Sequence, residues 1–395
     1  MVQMESGKGM QKVSPSKLFV AFLRLGLTAF GGPAMVAYIG DLAVKREGWI
    51  CQDSFKDGVA LCQSIPGATA MQAAAYVGLR AGGVLGAVAA YMGFGLPAFL
   101  LMLILSIGYA EARTFPAVVS AFTGLQAIVV ALVANATFNF GRTSLKNWRD
   151  VVLALAAAVF LGVGGAPIVA ICAAGLLGML LYRGTNRVPP VLSPSSQNKS
   201  FSRMAPALMF AGALIVGLLA LFALDRRLFD LATLMVKVDL FAFGGGFASV
   251  PLMLHQVVEV RNWMDSKTFM DGIALGQVTP GPIVITATFV GYQLDRFLGA
   301  FVGTISVFSP SFILLLATVP HFDRLKGSQL FQHAVRGALV CFVGLLLAVT
   351  FRFSLAAPWT VLSAAIALAA FIALRLRVDI LWVVLLGASV SAIFL

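Results

Sequence analysis

The sequence predicts an all-α, polytopic membrane protein made of two homologous halves in an inverted-topology repeat, with broken or re-entrant helices near its centre. Three observations carry this. Of 395 residues, 60% are apolar and only 11% charged, and mean hydropathy is +0.95, whereas a soluble domain carries about 25% charged residues. The apolar residues gather in runs of the length that crosses a bilayer, about 20 residues each. The chain also repeats itself at an offset of 213 or 214 residues. Secreted, cytosolic, disordered and disulfide-stapled classes are excluded by the composition.

Residues 1–17 are a short basic segment with Lys8, Lys12 and Lys17. They resemble the start of a signal peptide, but the apolar run that follows is too long and lacks a small-residue cleavage site. The first repeat, 18–182, holds apolar runs at 18–44, 58–78, 82–109, 116–140, 151–164 and 166–182. Residues 183–227 hold a Pro/Ser-rich basic linker and one extra helix at 206–224. The second repeat, 228–395, has runs at 228–254, 271–292, 297–319, 331–351, 358–374 and 378–395. Counted as one crossing each, these make thirteen. The pairs 151–182 and 358–395 are short for two crossings.

With the N-terminus in the cytoplasm, 17 of the 28 Lys and Arg fall in inside loops and 8 in outside loops. This bias places the N-terminus inside and the C-terminus outside. It also accounts for the net charge of +12 without nucleic acid. The remaining three cations, Arg24, Lys237 and Arg336, lie inside apolar runs. Cys51, Cys62, Cys172 and Cys341 are scattered, and no His stands at metal-ligand spacing, so no metal site or cofactor is predicted. The HExxH, GxSxG, Walker and dinucleotide motifs are missing, which points away from an enzyme and from ATP-driven pumping.

The repeat aligns residues that chance would not. Ala29-Phe30-Gly31-Gly32 meets Ala242-Phe243-Gly244-Gly245, Trp49 meets Trp263, and Asp57-Gly58 meets Asp271-Gly272. Gln63 meets Gln277, Pro66-Gly67 meets Pro280-Gly281, and Pro97 meets Pro310. With six crossings per half and the extra helix between them, the second half enters from the opposite side, a plan common to secondary transporters. One re-entrant segment per half would break that parity; 18–44 and 58–78 are the suspects.

Four groups of residues are candidates for chemistry. Arg24 and Lys237 coincide at the offset; they either line the path of an anion or snorkel to headgroups. Gly31, Gly32 and Pro33, with Gly244, Gly245 and Gly246, break their helices, which either frees N–H groups for an anion or allows tight helix packing. Gln63, Ser64, Pro66 and Gly67, with Gln277, Thr279, Pro280 and Gly281, form a second break per half with neutral donors for an oxyanion. Asp57 and Asp271 either cap helices or, with Asp239, couple transport to a proton or cation. Arg336 has no counterpart in the first half and is a secondary candidate.

Phe30-Gly31-Gly32-Pro33, Lys45-Arg46-Glu47-Gly48-Trp49, Gln63-Ser64-Ile65-Pro66-Gly67, Phe243-Gly244-Gly245-Gly246 and Gln277-Val278-Thr279-Pro280-Gly281-Pro282 together resemble the long, two-domain type of the CHR family of chromate ion transporters. The resemblance covers nearly the whole chain. It implies export of chromate across the bacterial inner membrane, chromate resistance, and a link to sulfate, the isosteric dianion. A carrier of sulfate or another oxyanion, an anion channel of the same fold, and a homodimer remain open alternatives.

Overall fold

The computed structural model describes residues 12–30, 34–112, 114–182, 200–322 and 327–394. The first half runs α1 (Pro15–Thr28), α2 (Ala34–Gly40, continued by a π-helical turn Asp41–Arg46), α3 (Gln52–Ser64), α4 (Thr69–Ala112), α5 (Pro116–Ser144), α6 (Trp148–Gly162) and α7 (Pro167–Leu181). Local chemistry starts these helices. Ser14 accepts from the Lys17 N–H ahead of α1, and Pro15, Pro116 and Pro167 occupy first turns, where the missing donor costs nothing.

α1 and α2 form a hairpin. Lys17 Nζ, at the start of α1, lies 2.7 Å from Glu47 Oε2, just past the end of α2. The Trp49 ring is 6.2 Å from that of Phe22. Both ends of the hairpin therefore share one face of the protein, and Ala29 and Phe30 follow α1 at the far end, its tip. α3 and the first arm of α4 also fold back on each other. Ser54 Oγ lies 3.3 Å from Tyr76 Oη, and Gly58 packs so closely on the Tyr76 ring that a Cβ would come to 2.3 Å. Residues 65–68 are this second tip.

Gly83, at φ 70°, then turns α4 into two antiparallel arms, 69–82 and 84–112. They touch backbone to backbone at Gly78 and Gly86. The second arm and α5 each run about 43 Å at 1.5 Å per residue, enough to cross. α6 and α7, of 15 residues each, reach about 22 Å, short of the ~30 Å hydrocarbon core. They form a third hairpin. The Asp150 carboxylate, part of the cap of α6, accepts from Tyr182 Oη at the end of α7 and closes the base.

α8 (Ser200–Leu224) crosses alone, exposed along almost its whole described length. The second half then starts from the opposite face: α9 (Arg226–Phe241), α10 (Ser249–Met253, continued by a π-helical segment Leu254–Val260), α11 (Ser266–Val278), α12 (Thr286–Thr318), α13 (Gln329–Ala356), α14 (Val361–Arg375) and α15 (Ile380–Phe394). The hairpin devices described for α1–α4 return in α9–α12. Arg261 reaches Asp230 at 3.4 Å across the base of the first hairpin, so the ion pair is the reverse in polarity of Lys17–Glu47. Gly272 packs on Phe289 as Gly58 does on Tyr76. α12 turns back at Asp295 and Arg296, and its arms meet at Gly291 and Gly299.

Between helices, small residues allow close approach, the packing that replaces the hydrophobic drive inside lipid. A Cβ on Gly337 would come to 2.1 Å from the Ala174 carbonyl oxygen, and one on Gly344 to 1.9 Å from that of Ala154.

The expected count of thirteen crossings is corrected. Among the described residues, five helices are long and apolar enough to cross: Thr69–Ala112, Pro116–Ser144, Met204–Leu224, Ile283–His321 and Gln329–Ala356. The runs at 18–44 and 58–78, and their equivalents, go in and return; at the described tips Gly67, Gly244, Gly245 and Gly281 take positive φ, which lets the chain reverse,. Two re-entrant segments per half change the count by an even number, so the inverted relation survives. Ser391 near the end of α15 donates to the Ser120 carbonyl at the start of α5 (2.5 Å). That end of α5 lies across the bundle from the start of α1, whose neighbour Val13 donates to the Ala81 carbonyl.

Candidate functional site

The four tips meet at the centre of the bundle. The Gly67 N–H donates to the Ala242 carbonyl (3.0 Å), and the Gly281 N–H donates to the Ala29 carbonyl (3.2 Å). Each bond joins the second tip of one half to the first tip of the other, at equivalent positions. Gly67 (φ 116°) and Gly281 (φ 127°) hold conformations that side-chain-bearing residues rarely adopt,. A Cβ on Gly67 would also lie 2.0 Å from Ser311 Oγ.

The predicted residues distribute unevenly around this crossing. Gly31, Gly32 and Pro33 lie outside the described residues. Gly244 (φ 94°), Gly245 (φ 97°) and Gly246 form the other first tip. Ser64 ends α3 and donates to the Ala60 carbonyl (2.7 Å), while Gln63 is exposed. The Pro66 carbonyl accepts from Gln72 Nε2 (2.7 Å). Across the pseudo-symmetry, Thr279 and Pro280 are buried, and Thr279 donates to the Leu275 carbonyl (2.9 Å). Gln277 Nε2 is buried with no hydrogen-bond partner among the described residues. That leaves a donor at the tip for an anion.

Asp57 and Asp271 do not stand at helix starts, because their helices begin earlier than the apolar runs suggest: Cys51 is the N-cap position of α3, and Asp265 is that of α11, where it accepts from the Thr268 N–H. Asp57 is exposed. Asp271 is buried and accepts from Tyr109 Oη (2.9 Å) and Gln126 Nε2 (2.8 Å), both in the other half. Asp239 is fully buried and accepts from Ser311 N (2.7 Å) and Ser311 Oγ (2.6 Å).

Arg24 and Lys237 do not share a cavity. Arg24 is exposed, on the face of α1 opposite the buried Leu18, Phe22 and Gly26. Lys237 lines a small cavity of about 20 Å³ with Gln256 and Arg261, room for about one water. Arg336 has a structural bond: it donates to Asp150 Oδ2 at 2.9 Å and stacks 4.1 Å over the Tyr182 ring, tying α13 to the base of the third hairpin.

Arg336 also lines a larger cavity, of about 270 Å³, with Ser64, Thr143, Ser144, Lys146 and Gln332. This cavity touches two tips. Ser64 directly precedes the tip at 65–68, and the cavity-lining Leu339 lies 3.0 Å from where a Cβ on Gly244 would stand. Two cations, three hydroxyls and a carboxamide around space for several waters make a surface that suits a hydrated oxyanion.

The sequence matches the family described as Chromate transporter over residues 16–179 and 229–392. This chain belongs to the chromate transporter family. The transporter is 46% identical to an uncharacterized transporter of Methanocaldococcus jannaschii over 97% of this chain and 95% of that one. It is 32% identical to a chromate transport protein of Pseudomonas aeruginosa, over 86% of this chain and 80% of the relative. A chromate transport protein of Cupriavidus metallidurans is 30% identical over 78% and 75% of the two chains. No solved structure matches.

Several groups at the centre of the transporter escaped the sequence reading. Gln72, Gln126 and Ser311 are neutral polar residues inside apolar helices, a signal visible in the chain. Lys146, Thr143 and Ser144 sit at a helix end and read as ordinary loop residues.

Proposed function

We propose that this protein exports chromate from the cytoplasm as a secondary transporter of the bacterial inner membrane and so confers chromate resistance. The N-terminus is cytoplasmic, so the large cavity opens to the inside. Chromate gathers there against Lys146, Arg336 and the hydroxyls of Ser64, Thr143 and Ser144. It then passes the crossed tips, where Gly244, Gly245 and Gly246, the Gln277 carboxamide, and the segments 63–67 and 279–281 present backbone and neutral donors. Lys237, and Arg24 with the Gly31-Gly32-Pro33 break, serve the path on the two sides of the crossing.

The observation that carries this reading is the pair of crossed tips, bonded at Gly67–Ala242 and Gly281–Ala29 beside a basic cavity. Broken helices inside a membrane persist where they are buried or line a passage. Energetics favour export. Moving a dianion across 100 mV is worth about 4.6 kcal/mol, a gradient of more than a thousandfold, so an inside-negative potential alone, or antiport, drives chromate outward. The test is flux of labelled chromate from proteoliposomes under an imposed potential, with sulfate as competitor. Saturable flux that follows the potential supports the proposal. Non-saturating conductance without counterflow indicates a channel, and a stronger effect of sulfate than of chromate indicates a sulfate carrier.

A further inference from the structure

We propose that Asp239 and Gln72 form a proton-binding site, and that one proton, taken up there from one side of the membrane and released to the other, accompanies each transport cycle. This rests on reading the chain as an oxyanion carrier. Both side chains are fully buried, and both belong to one cluster around Ser311. The Ala68 N–H donates to Ser311 Oγ (3.0 Å), and Ser311 Oγ–H and N–H donate to Asp239 Oδ2. Gln72 Nε2 donates to the Pro66 carbonyl and lies 3.5 Å from the Ser311 carbonyl oxygen. After these bonds, Asp239 Oδ1 and Gln72 Oε1 remain buried with no hydrogen-bond partner among the described residues.

Two unpartnered acceptors in an apolar interior are costly, and a carboxylate more so. One proton on the carboxyl removes its charge and supplies the hydrogen that an acceptor cluster lacks. Among the described residues no cation pairs with Asp239. Lys237, two residues along α9, is exposed and lines the separate cavity with Arg261. α8, α10 and α12 pack on α9; the described side chains of α8 and α10 carry no ionisable group, and those of α12 are Tyr292, Asp295 and Arg296, at least fifteen residues before Ser311 and ahead of the second arm (297–318). On α4 the ionisable neighbour is Tyr91, and it donates to the Phe308 carbonyl (2.7 Å).

The cluster joins the two halves and has no symmetry-related copy. The positions equivalent to Asp239, Ser311 and Ala68 are Gly26, Ala98 and Pro282, which have neither a carboxyl, a hydroxyl nor, at Pro282, an N–H. Its place gives the proton leverage. Asp239 and Ser311 hold the tip at 65–68 through Ala68, next to the Gly67–Ala242 bond. A neutral carboxyl accepts weaker hydrogen bonds than a carboxylate, so protonation loosens one tip from α9 and deprotonation locks it. The only bond that changes is O–H, and the proton comes from and returns to bulk water.

The purified full chain decides this in two measurements. Infrared titration is expected to show a neutral carboxylic acid C=O band that grows as pH falls, is absent in Asp239→Asn, and shifts in frequency in Gln72→Leu. In proteoliposomes, chromate flux is expected to be coupled to proton movement in the opposite direction; Asp239→Asn loses the pH dependence of flux and about tenfold in rate, while Asp239→Glu keeps a shifted pH profile. A band unchanged by Asp239→Asn, proton-free chromate flux in the unaltered protein, or dependence on Na⁺ in place of pH overturns the proposal. If the unaltered protein moves no chromate, the transport reading fails, and the infrared titration still decides the site.

Discussion

Replacing Gly67 by alanine probes the crossing of the tips. The residue sits at φ 116°, a region that costs a side-chain-bearing residue about 1–3 kcal/mol. Its new methyl would lie 2.0 Å from Ser311 Oγ and 3.0 Å from Gln72 Nε2, and overpacking of that kind costs about 1–3 kcal/mol more. The total, about 2–6 kcal/mol, falls on the segment whose N–H holds Ala242. Gly48→Ala is the control: its φ is also positive, at 62°, but nothing lies within 4 Å of the added methyl, so it carries only the backbone cost of about 1–2 kcal/mol. Thermal unfolding in detergent and chromate flux in liposomes are the assays. Gly67→Ala is expected to unfold at lower temperature than Gly48→Ala and to lose transport, with Gly48→Ala close to the unaltered protein. Equal melting of the two variants, with full transport by Gly67→Ala, refutes the reasoning.

Arg336→Ala leaves Asp150 buried without its cation and is expected to cost about 3–5 kcal/mol; adding Asp150→Asn recovers part of the loss, as read by thermal unfolding. Lys17→Glu and Glu47→Lys each place like charges at the base of the first hairpin, and the double variant copies the polarity of Asp230–Arg261; because Lys17 is 58% exposed, each single change costs no more than about 1 kcal/mol and the double restores it, measured by denaturation midpoints. Lys146→Ala is expected to raise the chromate concentration for half-maximal flux severalfold with little change in melting temperature. An impermeant maleimide is expected to reach the exposed Cys51 from one side of the membrane and a cysteine at Asn262 only from the other; labelling of both from one side removes the inverted topology.

The breaks at Gly244–Gly246 and at the two Pro-Gly pairs were legible because glycine and proline act on their own stretch of backbone. What the chain does after a break is not local. A run such as 18–44 has one composition whether it crosses or returns, and the contacts of Lys17 with Glu47 and of Phe22 with Trp49 show that it returns. The same limit applies to the site. Arg336 reads as a lone cation in an apolar helix, and its bond to Asp150 comes from 186 residues away. Asp271 reads as a helix start, yet Tyr109 and Gln126 of the other half hold it. Equivalence under the repeat also suggested that Arg24 and Lys237 act as a pair. Pseudo-symmetry instead puts them on separate hairpins, and the polar groups at the centre follow the symmetry only in part.

Cross-linking the tips tests the passage most directly. In a background without native cysteines, Ala68→Cys and Ala242→Cys flank the Gly67–Ala242 bond. Oxidation of that pair should stop chromate flux in proteoliposomes, and reduction should restore it. Flux that continues unchanged through fully cross-linked protein would show that chromate does not pass where the two halves cross.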